Sequence, residues 1–287
     1  MKVTLIYPGI ASIGFNSLCK GNPSTNLTGL GLAYLGASIK EKTHHQVDLI
    51  DLREMTGWDH FTSELSSRNS RLVGIHTNTV NFDFAIKCAE ISKTLKKIVI
   101  VGGPHATLAP QDLLDTGYVD HVVTGEGETT FPTVLDRIES GEEIDKVIPG
   151  EPVEDLDQIP FPDRDLYNMR RILNSQGIYP YPHRYVGIIT SRGCSFNCSF
   201  CQPMERTLFG RKIRRRSVKN VIDEVVHVVD KYKANFIMFQ DSTFTVNTTW
   251  ILDFCHKIAD LKIKWGCQTR IDALDEEVIS TTTLSIS

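Results

Sequence analysis

The sequence predicts an α/β protein in which a doubly wound parallel sheet precedes the first part of a β/α partial barrel. Three observations predict it. Short apolar runs alternate strictly with helical periodicities in the first half, a proline-rich stretch interrupts them, and the alternation restarts around a cluster of three cysteines. Strict strand–helix alternation implies parallel strands joined by crossovers, with helices on both faces of the sheet.

Val3–Ile6, Val47–Ile50, Leu72–Ile75, Ile98–Val101 and His121–Val123 are the five runs of the first half. Each is short and almost continuously apolar, as strands buried on both faces require. Helical spacing follows in Leu30, Ala33, Leu35, Ala37 and Ile39, then in Phe84, Ala85, Cys88, Ile91 and Leu95. A short helix is expected near Leu113–Leu114, and another at Phe131, Val134, Leu135 and Ile138. Ligands of such sheets bind beyond the carboxyl ends of the strands. Gly102-Gly103-Pro104-His105 and Gly125-Glu126-Gly127-Glu128 fall there.

From Glu142 to His183 the character changes. Pro149, Pro152, Pro160, Pro162, Pro180 and Pro182 break regular structure and acidic residues cluster from Glu151 to Asp157, which predicts an extended strap. The expected organisation is therefore an α/β domain over 1–141, a linker over 142–183 and a second domain over 184–287. In the last, Tyr185–Thr190 reads as a strand entering the cysteine loop. Val218, Val221, Ile222, Val225, Val226, Val229 and Tyr232 mark one helix face behind an N-cap at Ser217. Phe236–Phe239 is a second strand, Trp250, Ile251, Phe254 and Ile258 a second helix, and Ile263–Arg270 a third strand. Asp275-Glu276-Glu277 opens a third helix with the charge its N-terminus favours. The pattern stops after Ile279; Ser280–Ser287 has no helical face and reads as a foreign or frayed end.

Composition narrows the function classes. The 287 residues are 41% hydrophobic and 23% charged, ordinary for a globular protein. A net charge of −4 gives no reason to expect nucleic acid as a partner. The apolar runs are too short to span a bilayer, and the N-terminus lacks the apolar segment of a signal peptide. Seven cysteines without regular pairing argue against a secreted disulfide scaffold and for a reducing, cytoplasmic setting. Cys88 and Cys255 sit in amphipathic patterns as small buried residues.

Cys194, Cys198 and Cys201 form a C-x3-C-x2-C run. Three thiolates on one loop can hold three irons of a [4Fe–4S] cluster and leave the fourth open, where electron-transfer clusters use four cysteines. An open iron can bind and reduce a small molecule. The alternative is a structural zinc site completed by Cys267 or His183. Arg211-Lys212-Ile213-Arg214-Arg215-Arg216 carries five positive charges. It reads as a solvated loop whose charges approach an anionic cofactor or a domain interface, in preference to an RNA contact.

The strand, the C-x3-C-x2-C loop and the strand–helix alternation after it resemble the start of a radical S-adenosylmethionine enzyme. Arg192-Gly193-Cys194 through Cys201, Gly210-Arg211-Lys212-Ile213-Arg214 and Trp265-Gly266-Cys267-Gln268-Thr269-Arg270 are similar to the branch with an N-terminal cobalamin-binding domain. The resemblance implies that S-adenosylmethionine chelates the open iron and is cleaved by one electron to a 5′-deoxyadenosyl radical. It places Phe200 along the adenine, Asp241 at the ribose or amino group and Arg270 at the carboxylate. It makes Thr77, Asn78, Gly102, Gly103, His105, Gly125 and Glu126 candidate cobalamin contacts, with Gly102-Gly103 admitting the nucleotide tail closely. The D-x-H-x-x-G loop of many cobalamin modules is absent, since Pro8-Gly9-Ile10-Ala11-Ser12 follows the first strand, so no histidine from that motif ligates cobalt.

The expected function is cobalamin-dependent methyl transfer to an unactivated carbon. The alternatives are radical cyclisation or rearrangement without methyl transfer, or an iron–sulfur or zinc protein without turnover. The resemblance further implies a small-molecule or peptide substrate and a reduced flavodoxin or ferredoxin as electron donor. Family barrels have six strand–helix units and about three are visible, so the sequence reads as truncated within the barrel.

Overall fold

The computed structural model describes residues 1–9, 15, 28–175, 184–201 and 204–286. They form two compact units. The first holds 1–9, 15, 29–153 and 159–168; the second holds 28, 154–158, 169–175, 184–201 and 204–286.

The first unit runs β1 (Lys2–Tyr7), α1 (Leu30–Lys42), β2 (Gln46–Asp51), α2 (Trp58–Ser67), β3 (Leu72–His76), α3 (Phe82–Thr94), β4 (Ile98–Gly102), α4 (Pro104–Leu108), α5 (Pro110–Leu114), β5 (His121–Thr124), α6 (Thr130–Ser140) and β6 (Val147–Pro149). All six strands are parallel, in the order β2-β1-β3-β4-β5-β6. Side-chain alternation sorts the core. Ile6, Val73, Ile75, Val99 and Val101 pack with Phe61 and Leu65 of α2 and Ala85 and Cys88 of α3. On the opposite face, Leu5 and Phe131 of α6 close over Gly74, where a Cβ would stand 3.0 and 3.1 Å from them.

Helix α2 and strand β6 are among the elements that escape the sequence pattern, for physical reasons. Helix α2 buries only Phe61 and Leu65, a single i,i+4 pair that leaves too thin a stripe to read. Strand β6 has three residues on the sheet edge, where its last residue, Pro149, costs no ladder bond. The strap expected over 142–183 is therefore not irregular throughout: β6 lies within it and completes the first sheet. Further along, the Asp163 N–H donates to the Ala33 carbonyl (3.0 Å), Lys40 pairs with Asp163 (2.5 Å), and the Tyr167 hydroxyl donates to the Gly29 carbonyl (3.1 Å). These contacts fasten residues 159–168 onto α1.

The second unit runs α7 (Met169–Ser175), β7 (Tyr185–Ile188), β8 (Ser191–Arg192), α8 (Met204–Phe209), β9 (Arg214–Arg215), α9 (Val218–Tyr232), β10 (Phe236–Phe239), α10 (Thr248–Ala259), β11 (Lys264–Cys267) and α11 (Glu276–Ile286). Strands β7, β10 and β11 form a parallel sheet with β10 central, and β8 pairs with β9 antiparallel. Ser217 caps α9 through Asn220, and the helix buries Val218, Val221, Val225, Val228 and Tyr232. Phe239, Phe244, Phe254 and Trp265 make an aromatic core over the sheet, with Trp250 stacked on Phe254.

The outer strands are shorter than the sequence suggests, ending at Ile188 and Cys267 instead of Thr190 and Arg270. Helix α11 is longer, continuing through the stretch read as frayed. The Thr282 hydroxyl donates back to the Val278 carbonyl and that of Ser280 to Glu277, so this serine- and threonine-rich turn stays helical with no apolar stripe to announce it. No helix among the described residues is long and apolar enough to cross a membrane.

Candidate functional site

In the second unit the cysteine loop leaves β8 at Gly193, whose φ of +93° and close approach to the Lys212 carbonyl (2.4 Å from an added Cβ) admit only glycine. The Cys194 N–H donates to the Gly210 carbonyl (3.2 Å), and the Cys201 N–H to that of Cys198 (3.2 Å). Arg206 of α8 holds the loop through the Asn197 side chain (2.7 Å). None of Cys194, Cys198 and Cys201 is in a disulfide; Cys201 is exposed and the other two are half-buried. Arg270, beyond the carboxyl end of β11, donates to Cys198 Sγ while its guanidinium lies 4.1 Å over the Phe196 ring and pairs with Asp272. The structure thus joins Arg270 to the cysteine loop. Phe196 had no sequence signal of its own, being one of two aromatics in the run.

Asp241 lies just past β10 and is buried. Its carboxylate accepts from the Thr190 N–H (3.2 Å), the Thr190 hydroxyl (2.9 Å) and the Ser191 hydroxyl. Burial raises its pKa, opposed by these bonds and by Arg215. The Glu205 carboxyl is also raised, first by burial and then by Asp241. Phe200, 90% exposed, faces solvent at the loop tip. The basic run is not the solvated loop expected: Arg214 and Arg216 are buried, and Arg215 lies 4.6 Å over Trp250. Arg216 pairs with buried Glu224 and donates to the Ile189 carbonyl (2.9 Å). Arg211 and Lys212, the latter paired with Glu154, keep to the surface as solvated charges would.

The donor set suits a three-thiolate cluster better than tetrahedral zinc. Zinc thiolates at about 2.3 Å from the metal stand about 3.8 Å apart. Among the described residues, three metal-type ligand atoms within 4.8 Å of one another occur only at His44, His45 and Asp136, so the cysteine sulfurs are more widely set. Burial first, then Asp241 and Cys255, holds the Cys267 thiol up at about 12. His183 lies outside the described residues.

In the first unit the strand order reverses between β1 and β3, so a crevice beyond their carboxyl ends is the expected ligand position. Tyr7 ends β1 and His76 ends β3, their ring centroids 6.1 Å apart. Arg53 is buried beneath Tyr7, its guanidinium 4.7 Å from the ring and doubly bonded to Asp51 at the end of β2. Burial drives His76 down to about 4 and Tyr7 up to about 12, so both rings are neutral. Sequence reasoning missed Tyr7 and Arg53, which are commonplace residues near strand ends; only the strand order brings them to His76.

The expected contacts lie along the same edge. Thr77 is fully buried, and its N–H donates to the Gly102 carbonyl (2.8 Å). Asn78 accepts from Val80 and Asn81, capping the turn over 79–81. Gly103 (φ +109°) would set a Cβ 2.6 Å from the Thr77 carbonyl, so the chain's own packing demands glycine there. His105 Nδ1 lies 3.2 Å from the Thr79 hydroxyl, and its buried Nε2 makes no hydrogen bond. The Gly125 N–H donates to Thr107 (2.9 Å), and buried Glu126 accepts the Val153 N–H (3.2 Å). Pro8 and Gly9 are described, whereas Ile10, Ala11 and Ser12 lie outside the described residues, as does Cys19.

Comparison with known proteins adds to this geometry. A profile of the B12 binding domain matches residues 20–135. An uncharacterised methyltransferase of Pyrococcus horikoshii is 30% identical over 97% of this chain and 62% of its own length. The anaerobic magnesium-protoporphyrin IX monomethyl ester cyclase of Rubrivivax gelatinosus is 27% identical over 96% of this chain and 52% of its own. The chain therefore spans roughly half to three-fifths of these relatives. Among solved structures, the cobalamin-dependent S-adenosylmethionine radical enzyme OxsB, with aqua-cobalamin and S-adenosylmethionine bound, superposes with a TM-score of 0.75 at 17% identity. That match covers 99% of this chain and 42% of the other, and establishes a shared fold.

Proposed function

We propose that this chain, which matches the B12 binding domain over residues 20–135 and shares the fold of a cobalamin-dependent radical S-adenosylmethionine enzyme, is itself such an enzyme, transferring a methyl group to an unactivated carbon. The observation that carries this reading is the loop of three cysteines outside any disulfide, Cys194, Cys198 and Cys201, with the Arg270 guanidinium against Cys198. When bound, a [4Fe–4S] cluster supplies the electron that cleaves S-adenosylmethionine, and cobalamin supplies the methyl group.

The chain's own residues prepare both sites. Cys194, Cys198 and Cys201 would hold three irons, and Arg270 would balance thiolate charge and meet the cofactor's carboxylate. Phe196 fixes the Arg270 plane from beneath, and Asp272 fixes its edge. Asp241 anchors Thr190 and Ser191 and so sets where the loop begins; its bonded lone pairs favour a positioning part over direct contact with the ribose. Phe200, exposed, is free to lie along an adenine. Along the first sheet Thr77, Asn78, Gly102, Gly103, His105, Gly125 and Glu126 would face the cobalamin tail, and His105 Nε2, which makes no hydrogen bond and has Asp112 Oδ2 3.7 Å away, is a ready hydrogen-bonding group there. Neutral Tyr7 and His76 line the crevice without charge. The electron would come from a reduced flavodoxin or ferredoxin.

The similarity to a cyclase supports one second reading, radical ring closure without methyl transfer. The test is anaerobic reconstitution of the full chain with iron and sulfide, reduction and addition of S-adenosylmethionine. The expected result is 5′-deoxyadenosine, lost in Cys198→Ala. A tightly held zinc ion and no nucleoside product would overturn the reading; methylated product, or its absence beside turnover, separates methyl transfer from ring closure.

A further inference from the structure

At the edge of the first sheet opposite the glycine loops, the turn between α1 and β2 carries adjacent histidines, His44 and His45. Helix α6 presents Asp136 and Glu139 to them, three residues apart and so on one helix face. A nitrogen of each imidazole and an Asp136 oxygen lie within 4.8 Å of one another, and the ring centroids are 4.4 Å apart. His44 Nε2 lies 2.6 Å from Glu139 Oε2.

The unexplained atom is His45 Nε2. The His45 side chain is fully buried, and this nitrogen makes no hydrogen bond, although Asp136 Oδ1 stands only 3.0 Å away. A buried ring nitrogen beside a carboxylate oxygen but misaligned for a hydrogen bond has the arrangement of two ligands sharing a cation. Zinc–nitrogen and zinc–oxygen bonds of about 2.0–2.2 Å at tetrahedral angles put two such ligand atoms about 3.3 Å apart.

We infer that His44, His45 and Asp136 form a binding site for a divalent transition-metal cation of the zinc class, with Glu139 as the outer partner that orients the histidines. Two imidazoles and one carboxylate select zinc, nickel, cobalt or copper over magnesium and calcium. The ion would staple the α1–β2 turn to α6, far apart in sequence, and the half-exposed Asp136 (53%) gives it a route from solvent. His45 Nδ1 lies 2.9 Å from the Met1 amino group and 3.8 Å from Glu139 Oε2. Coordination at Nε2 leaves the ring proton on Nδ1, on the side that faces Glu139.

The test is equilibrium dialysis of the full chain against Ni²⁺, comparing wild type with His44→Gln and Asp136→Asn. Both changes are at exposed side chains, 70% and 53%, so the fold is retained, checked by circular dichroism. Metal bound at the cysteines is common to all three proteins and cancels in the comparison. Wild type should hold one more equivalent than either variant, or hold it at least about tenfold more tightly, and millimolar Mg²⁺ should not displace it. Equal stoichiometry and affinity in all three, or displacement by Mg²⁺, would overturn the inference.

Discussion

His76 holds a ring whose charge the fold refuses. Its pKa falls from 6.5 in the open chain to about 4 in the folded unit because burial penalises the imidazolium. The unfolded chain therefore takes up a proton before the folded one does as pH falls. Stability is unaffected above about 6.5 and is lost progressively between 6.5 and 4. The full linkage is about 3 kcal/mol, reduced by screening because part of the residue's surface remains in water. Urea unfolding of the first unit from pH 7 to 4 should show that loss, and His76→Gln should flatten it; an unchanged slope would refute the assignment. This residue also marks what single positions conceal. Cys194, Cys198 and Cys201 could be read from spacing alone because three like ligands in one run have few other uses. Tyr7 and Arg53 gave no such signal, since their meaning lies in a strand order that places sequence-distant ends side by side.

At the scale of elements, the second unit hangs its cysteine loop on a buried ion pair. Arg216 follows β9, pairs with Glu224 of α9 and donates to the Ile189 carbonyl between β7 and β8. Its own carbonyl accepts the Trp250 indole N–H of α10 (2.9 Å). Removing one partner leaves an uncompensated interior charge, which costs about 3 kcal/mol. Glu224→Gln should lower the denaturant midpoint of the second unit accordingly and speed labelling of Cys194 by thiol reagents. A midpoint shift below about 0.5 kcal/mol equivalent would sink this account. Strands and helices with a full apolar stripe, such as β1 and α9, were legible in the sequence. Helix α2, strand β6 and the end of α11 were not, because a single apolar pair, a three-residue edge strand and back-bonded hydroxyls leave no periodicity. The basic run misled for the opposite reason: five charges look solvated until Glu224 and Trp250 are placed beside them.

At the scale of the whole molecule, the chain divides into two compact units, to which the proposed function assigns two separable ligand chemistries. Thermal unfolding should accordingly show two transitions. Hydroxocobalamin at one hundred times its dissociation constant should stabilise the first by about 2.7 kcal/mol and leave the second in place. Calorimetry with and without the ligand reads this directly, and a shift confined to the second transition would contradict the assignment of the first sheet. The α/β class and the three cysteines were predictable because alternation and ligand spacing are local properties of the chain. Placement of the strap was not, as Asp163 and Tyr167 find their partners on α1, more than a hundred residues upstream.

The antiparallel pairing of β8 with β9 also sets a timetable for synthesis. Ser191 and Arg192 precede the cysteines, and their partners Arg215 and Arg214 follow them. A ribosome adding about 5–20 residues per second leaves the loop without its closing strand for about 1–5 s. Throughout that interval the newborn thiols have no ladder behind them, and the chain must survive passing metals and oxidants before its own geometry can choose among them.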